Sequence, residues 1–190
     1  MKLLIGLVGH IGSGKGKFIE FLQDAAGEAK VERIASSQLL KETLDLWDIQ
    51  PTRKALQNLA IIMNANYGDN TLSHAMLRRI NQSGADIVVY DGMRWKSDEK
   101  MVRNFPDSLI VYVTAEPRIR FGRICVRREK ADEAELTFER FEQEAKAKTE
   151  LEIADIGNRA DAIIKNNGTL EEYKDGIEKV FRQVIEPRLR

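Results

Sequence analysis

A junction between an apolar strand and a helix near the amino terminus constrains this chain more than any other sequence feature. Residues 2–8 are mostly apolar, and Gly-His-Ile-Gly-Ser-Gly-Lys-Gly follows at residues 9–16, where a helical pattern begins. Glycines let a backbone curve tightly around an anion, and a helix amino terminus adds partial positive charge. The pattern predicts a phosphate-binding loop made of Gly9, Gly12, Ser13, Gly14, Lys15, Gly16 and Lys17.

Lys15 is the residue of this loop that we expect to reach the β- and γ-phosphates of a nucleotide. The alternative is a glycine-rich turn with an exposed lysine. The strand before the loop and the helix after it favour the phosphate site, because this context gives the pattern its mechanism.

Apolar runs bounded by turn residues alternate with helical patterns through the rest of the chain. Strands are predicted at residues 2–8, 31–34, 86–90, 108–114 and 160–164, which indicates an α/β fold with a five-stranded parallel sheet flanked by helices. The long stretch between the second and third strands carries several helical patterns, including one with Pro51 in its first turn. It is predicted to be a helical insertion at residues 36–84. Thr169 and Glu172 have the spacing of a capping box, which predicts the start of a final helix.

Composition excludes several classes of function. The 190 residues include 30 basic and 30 acidic side chains, so the chain has no net positive field to hold a nucleic acid. Cys125 is the single cysteine, which rules out an internal disulfide framework and favours a reducing compartment. The apolar stretch at the amino terminus is too short to span a membrane. We therefore expect a cytoplasmic protein without nucleic-acid or membrane partners, whose oligomeric state is open.

The phosphate loop resembles the loops of P-loop small-nucleotide kinases. Residues 12–16 are similar to the adenylate kinase loop, and residues 9–12 are similar to the loop of dephospho-coenzyme A kinases. Gly16 stands where many P-loop enzymes have a serine or threonine that binds Mg²⁺, and Lys17 replaces the threonine usual in adenylate kinases. The resemblance implies one P-loop NTPase domain (core residues 1–35, 85–128 and 137–190) with ATP and Mg²⁺ as cofactors. Because Gly16 has no hydroxyl to bind it, Mg²⁺ would be held more through water than in those enzymes.

The segment after the third predicted strand adds to this resemblance. Asp91 ends an apolar run, as does the aspartate that lies near the metal in P-loop enzymes. Residues 91–94 are similar to the Asp-Gly-Phe-Pro-Arg segment of adenylate kinases, one residue shorter, so the resemblance implies that Arg94 grips the acceptor phosphate. The alternative is a turn at residues 91–92 with a solvated arginine.

The start of the predicted insertion resembles the acceptor-binding region of nucleoside monophosphate kinases, which begins here at Ser36. The resemblance implies that Lys41 contacts the acceptor phosphate, and Arg53 is a second candidate for the same contact. The alternative for Lys41 is a solvated charge on an amphipathic helix.

Residues 123–128 resemble the arginine segment at the base of the adenylate kinase lid. The resemblance implies that Arg123 covers the ATP base and that Arg127 meets phosphate, with a short lid at residues 129–136. Residues 160–169 resemble the last strand and turn of dephospho-coenzyme A kinases, so Asn166 and Asn167 are candidates for the adenine site. The alternatives are a solvated basic helix face and a simple turn.

Taken together, the resemblance implies an ATP-dependent nucleotide kinase that transfers the γ-phosphoryl group to a nucleoside monophosphate-like acceptor. Small nucleotides are the expected partners. A dephospho-coenzyme A kinase-like enzyme is an alternative, although such enzymes are expected to have an aspartate at the end of the second strand, where Ser36 and Ser37 stand. A regulatory nucleotide-binding ATPase without an acceptor is another.

Overall fold

The computed structural model describes residues 2–127, 137–146 and 150–189, with Arg127 described by its backbone alone. Within them the strands are β1 (Leu3–Val8), β2 (Val31–Ala35), β3 (Ile87–Met93), β4 (Ser108–Thr114) and β5 (Ala162–Lys165). The α-helices are α1 (Lys15–Ala26), α2 (Ser36–Asp45), α3 (Arg53–Tyr67), α4 (Thr71–Gln82), α5 (Lys96–Arg103), α6 (Pro117–Arg127), α7 (Phe138–Glu144), α8 (Ile153–Asn158) and α9 (Leu170–Val180). A π-helical turn (Phe181–Ile185) and a 3-10 turn (Glu186–Arg188) follow α9.

The five strands form one parallel sheet in the order β2-β3-β1-β4-β5. Strand β1 therefore lies between β3 and β4, and Leu7 near its end pairs with Asp91 of β3. Ligands of open α/β sheets bind outside the carboxyl ends of the strands. The order of the strands thus brings the loop after β1 and the residues that end β3 to one edge.

Both faces of the sheet are buried, as a parallel sheet covered by helices requires. On one face Leu3, Ile5 and Leu7 of β1 pack with residues of α1 and α9. On the other face Leu4 and Val8 pack with residues of α4, α5 and α8. This burial explains why β1 is a continuous apolar run rather than an alternating one.

Helices α2, α3 and α4 follow β2 and precede β3 in the sequence, and they share a smaller apolar cluster. Its buried members are Leu40, Leu44, Leu59, Ala60 and Leu72, and Trp95 packs against them. The three helices therefore hold together over one edge of the sheet, beside the carboxyl ends of β2 and β3.

The predicted five-stranded parallel sheet is confirmed, and its strand bounds shift by a few residues. The predicted third strand ended at residue 90, but β3 continues to Met93, because Asp91 and Met93 still pair with β1. The prediction that Pro51 lies in the first turn of α3 is wrong. Thr52 caps the helix by accepting a hydrogen bond from the Ala55 N–H at 3.2 Å, so α3 begins at Arg53.

The predicted capping box of Thr169 and Glu172 is confirmed at the start of α9. Helices α5 and α8 were not predicted. Of the helices that the structure describes, each is too short or too polar to cross a membrane.

Candidate active site

The phosphate loop connects β1 to α1, and its glycines allow a tight curve. Gly12 and Gly14 have φ angles of +78° and +107°, which residues with a side chain rarely adopt. A β-carbon on Gly14 would lie 2.3 Å from Nδ2 of Asn166, so a larger residue would also clash. The loop therefore curves directly into the amino terminus of α1, where the helix stabilises negative charge.

Lys15 is the first residue of α1, and its side chain lies against the loop. Its Nζ donates hydrogen bonds to the carbonyl oxygens of Gly9 at 2.7 Å and His10 at 3.4 Å. Burial of the ammonium lowers the pKa of Lys15, and the carboxylate of Asp91 acts in the opposite direction. Lys15 and Asp91 line the same cleft.

Gly16 and Lys17 are the positions at which this loop departs from the usual pattern. A β-carbon on Gly16 would meet no heavy atom within 4 Å outside its own helix, so packing does not require glycine here. Lys17 is exposed and forms an ion pair with Glu20 in the next turn of α1. Both residues line the cleft that opens at the loop.

Asn166, in the turn after β5, fastens the loop to α6. Its Nδ2 donates to the carbonyl oxygen of Ser13 at 2.9 Å, and its Oδ1 accepts from Nη2 of Arg123 at 3.0 Å. Asn166 is 5% exposed. Within the described part of the chain, Oγ of Ser13 and Nη1 of Arg123 are buried without a hydrogen-bond partner. Arg123 also lines the cleft, so one asparagine holds both the loop and a cationic side chain beside it.

Asp91 forms a salt bridge that sequence reasoning missed. Its Oδ2 accepts hydrogen bonds from Nε and Nη2 of Arg33 at 3.0 and 2.6 Å. Arg33 comes from the edge strand β2, and both residues line the cleft. The guanidinium therefore offsets the charge of the carboxylate that was expected near the metal.

One carboxylate in this position fits Mg²⁺. This ion retains several waters and takes further ligands from nucleotide phosphates, so one or two carboxylates suffice. Asp91 satisfies that requirement, although Gly16 adds no hydroxyl. Among the described residues, no group of three or more His, Cys, Asp or Glu side chains could hold a metal ion by itself.

The backbone around Arg94 is held by a buried acid, Asp98. Oδ2 of Asp98 accepts from the N–H of Arg94 at 2.9 Å, and Oδ1 accepts from the hydroxyls of Tyr90 and Ser73, each at 2.9 Å. Burial raises the pKa of Asp98, and these hydrogen bonds act against that shift. Nη1 of Arg94 donates to Glu150. Both the backbone and the side chain of Arg94 are thus held in place.

Glu150 lies before α8 and is a second buried acid. Its Oε1 accepts from Arg94, and its Oε2 lies 3.4 Å from Nδ1 of His10 in the phosphate loop. Burial alone would raise its pKa, but the hydrogen bond to His10 and the charges of Arg94 and Arg53 outweigh burial and lower the pKa of Glu150 to about 2. Glu150 is therefore an ionised carboxylate beneath the loop.

The other residues predicted to bind the acceptor lie at the starts of α2 and α3. Ser36 is buried, and its Oγ donates to the carbonyl oxygen of Gly92 at 3.4 Å. Nη1 of Arg53 donates to Oε2 of Glu144 on α7 at 2.5 Å. Ser36 and Arg53 both line the cleft.

Five of the predicted residues do not line the cleft, namely Gly9, Ser13, Lys41, Asn166 and Asn167, and a sixth, Arg127, cannot be located. Lys41 is exposed and does not line the cleft, whereas Leu40 does. Asn167 is also exposed, and its Oδ1 accepts from the N–H of Glu116 at 2.9 Å. The side chain of Arg127 and the predicted lid at residues 129–136 lie outside the described residues.

The cleft itself has a volume of about 640 Å³. The phosphate loop forms one part of its wall, and helices α2, α3 and α4 form another. The apolar residues on the helical side are Leu40, Leu56, Ala60, Leu72 and Trp95, and the arginines are Arg33, Arg53, Arg94 and Arg123. An anionic ligand with an apolar or aromatic body would match this lining.

Four charged residues of the site were missed, namely Arg33, Asp98, Glu144 and Glu150. Asp98 had a local signal, because it follows Arg94 by four residues at the start of a helix. Glu150 is 56 residues from Arg94 and 140 from His10, so no local spacing could connect it with either.

The strand order and the glycine-rich loop after β1 define a P-loop kinase fold, and solved structures share it. A shikimate kinase from Bacteroides thetaiotaomicron matches with a TM-score of 0.63 and 13% identity over 95% of this chain and 97% of its own. A gluconokinase from Sinorhizobium meliloti matches with a TM-score of 0.56 and 14% identity over 96% and 93%. The TT1252 protein from Thermus thermophilus matches with a TM-score of 0.62 and 16% identity over 96% and 98%. At these identities the similarity establishes the fold.

Sequence relatives identify the family. A UPF0200 protein from Saccharolobus islandicus strain M.16.4 is 31% identical over 186 residues, covering 96% of this chain and 94% of the relative. A UPF0200 protein from Thermococcus kodakarensis is 27% identical over 189 residues, covering 96% and 98%. The chain therefore belongs to the UPF0200 family. No protein-family model matches it.

Proposed function

We propose that this protein is an ATP-dependent kinase that transfers the γ-phosphoryl group to a nucleoside monophosphate-like acceptor. The observation that carries the proposal is a single cleft lined by the phosphate loop with Lys15, by Arg94, and by the apolar residues of α2, α3 and α4. A kinase must hold donor and acceptor side by side and supply positive charge to the transferring group. The cleft has residues for both tasks.

On the donor side, the backbone N–H groups of the loop and Lys15 bind the phosphates of ATP, and Arg123 covers the base. Asp91 is the residue that would hold Mg²⁺, through the water shell of the ion because Gly16 has no hydroxyl. When bound, Mg²⁺ neutralises phosphate charge. Arg33 lies on the same carboxylate and helps to hold Asp91 in its orientation.

On the acceptor side, Arg94 and Arg53 bind the acceptor phosphate, while the apolar residues of the helical insertion contact the nucleoside. Ser36 shapes the start of this region. An oxygen of the acceptor phosphate attacks the γ-phosphorus, the bond to the β–γ bridging oxygen breaks, and ADP leaves. The chain contributes alignment and charge rather than covalent chemistry.

One observation favours a second function, a regulatory ATPase without an acceptor. Arg33, Arg53 and Arg94 each form an ion pair with a carboxylate of the chain itself. In such a protein these arginines would be structural.

A coupled assay with Mg·ATP separates these functions. The acceptor panel contains ribo- and deoxynucleoside monophosphates and dephospho-coenzyme A. We expect ADP formation that depends on a nucleoside monophosphate and collapses in Lys15→Ala. ADP formation with dephospho-coenzyme A alone would identify that enzyme class, and acceptor-independent hydrolysis would support the regulatory ATPase.

A further inference from the structure

Two acids that follow the predicted lid in sequence reach the two arginines on the acceptor side. Glu144, the last residue of α7, accepts a hydrogen bond from Arg53 at 2.5 Å, and Glu150 accepts one from Arg94. Arg53 begins α3 and Arg94 follows β3, so the two arginines come from separate parts of the fold. Glu144 thus holds the guanidinium of Arg53, and Glu150 holds that of Arg94.

Helix α7 also packs against the donor side of the cleft. The rings of Phe138 and Phe141 on α7 lie 5.4 and 5.8 Å from the ring of Phe121 on α6. Arg123, two residues further along α6, lines the cleft and is tied to the phosphate loop through Asn166. Contacts therefore join α6 to α7, and α7 to Arg53 through Glu144.

The burial of Glu150 indicates more than packing. Its side chain is 1% exposed, and a buried ion pair is often no more stabilising than apolar residues of the same volume. Its two oxygens are divided between Arg94 and His10 of the phosphate loop. A carboxylate here gives two functional segments a defined relative orientation, which an apolar side chain could not do.

We infer that Glu144 and Glu150 are positioning residues that orient Arg53 and Arg94 toward the anionic group of the acceptor. The inference rests on the proposed kinase function. Removing either carboxylate takes away a charged hydrogen bond that helps to order a long, rotamer-rich side chain, so more of this ordering must occur when the acceptor binds.

Steady-state kinetics test the inference with Glu150→Gln, Glu144→Gln and the matched control Glu142→Gln, which removes the same charge from an exposed position on α7. We expect Glu150→Gln to raise the acceptor KM roughly tenfold, as expected for one charge-assisted hydrogen bond. The Kd of ATP, measured by calorimetry, should change less than about threefold. Glu144→Gln should act in the same direction, which keeps the test valid if Glu150→Gln folds poorly.

A double-mutant cycle separates positioning from a general structural effect. In an Arg94→Ala background, Glu150→Gln should cause little further rise in the acceptor KM, because the side chain that it orients is gone. Additive effects, or an effect of Glu150→Gln equal to that of Glu142→Gln, would overturn the inference.

A nucleotide-free measurement distinguishes this inference from the proposed function. The ¹⁵N–¹H relaxation of the Arg94 Nε–H group, assigned with Arg94→Lys, reports the mobility of this side chain. We expect greater mobility than in the wild type for Glu150→Gln and unchanged mobility for Glu142→Gln. If no acceptor is phosphorylated but Arg94 becomes mobile, the kinase proposal fails while the holding of Arg94 by Glu150 is supported. If Arg94 mobility is unchanged in Glu150→Gln, the positioning role is refuted even in an active kinase.

Discussion

At the scale of single residues, the cleft is an arrangement of paired charges. Arg33 pairs with Asp91, Arg53 with Glu144, Arg94 with Glu150 and Lys17 with Glu20. The three arginine pairs each hold a guanidinium in a defined direction, which matters for a phosphate ligand because a guanidinium binds it through a directional fork.

Gly16 offers a test at this scale. Replacing it with serine would add the hydroxyl that many P-loop enzymes use on Mg²⁺, and the position has open space for a side chain. We expect Gly16→Ser to strengthen Mg²⁺-dependent ATP binding about threefold to tenfold, measured by calorimetry with and without Mg²⁺.

Gly16→Ala is the matched control for that experiment. Like serine, alanine loses less conformational freedom than glycine when the helix forms, and for alanine this adds about 0.5–1 kcal/mol of stability. Alanine has no hydroxyl. If the alanine variant gains as much Mg²⁺-dependent affinity as the serine variant, the hydroxyl has no role and the expected metal position is wrong.

At the scale of elements, the turns at the carboxyl edge of the sheet assemble the site. The loop after β1, the turn after β3 and the turn after β5 meet there because β1 lies between β3 and β4. Asn166 connects two of these elements, and Tyr173 of α9 adds a hydrogen bond to the carbonyl oxygen of Gly14 at 3.1 Å. The curve of the loop therefore depends on the end of the chain as well as on its own glycines.

Replacing Asn166 tests this dependence. Asn166→Ala would leave the Ser13 carbonyl and Arg123 without their shared partner, so we expect ATP affinity to fall about tenfold, equivalent to about 1–2 kcal/mol. Asn167→Ala removes the same amide from the exposed neighbouring position and should change ATP affinity less than twofold. Equal losses in the two variants would show that the adenine site uses both residues or that Asn166 does not support the loop.

At the scale of the whole molecule, the buried carboxylate of Glu150 makes the stability of the folded state depend on pH. Glu150 lies beneath the loop with a pKa of about 2, against an ordinary value of 4.5. Because the unfolded state binds a proton more readily, the ionised carboxylate stabilises the folded state above pH 4.5, and this contribution is lost as the pH falls toward 2. The shift corresponds to about 3 kcal/mol.

Urea unfolding of the wild type and Glu150→Gln at several pH values between 3 and 7 measures this contribution. We expect the wild type to be more stable by about 3 kcal/mol at pH 7, and the difference should shrink steadily below pH 4.5. Glu142→Gln should show no comparable pH-dependent difference. A gap between wild type and Glu150→Gln that stays constant down to pH 3 would contradict the low pKa of Glu150.

The sequence predicts correctly the features that depend on residues close together in the chain, and it does not predict contacts between residues far apart in it. The glycine-rich loop, the parallel strands and the capping box of α9 depend on neighbouring residues, and they were predicted. The start of α3 was wrong by a few positions because Thr52, rather than Pro51, determines it. The roles of Lys15, Arg94 and the other site residues stay predictions, although most of those described lie around one cleft.

The sequence by itself determined the strands, most of the helices and the phosphate loop, because hydrophobic periodicity and glycine spacing act over a few residues. Only the tertiary structure decided how the charges are paired. Arg33 is 58 residues from Asp91, Arg94 is 56 from Glu150, and Asn166 is 153 from Ser13. Contacts over such separations follow from the order of the strands and the packing of helices on them, which no local pattern records.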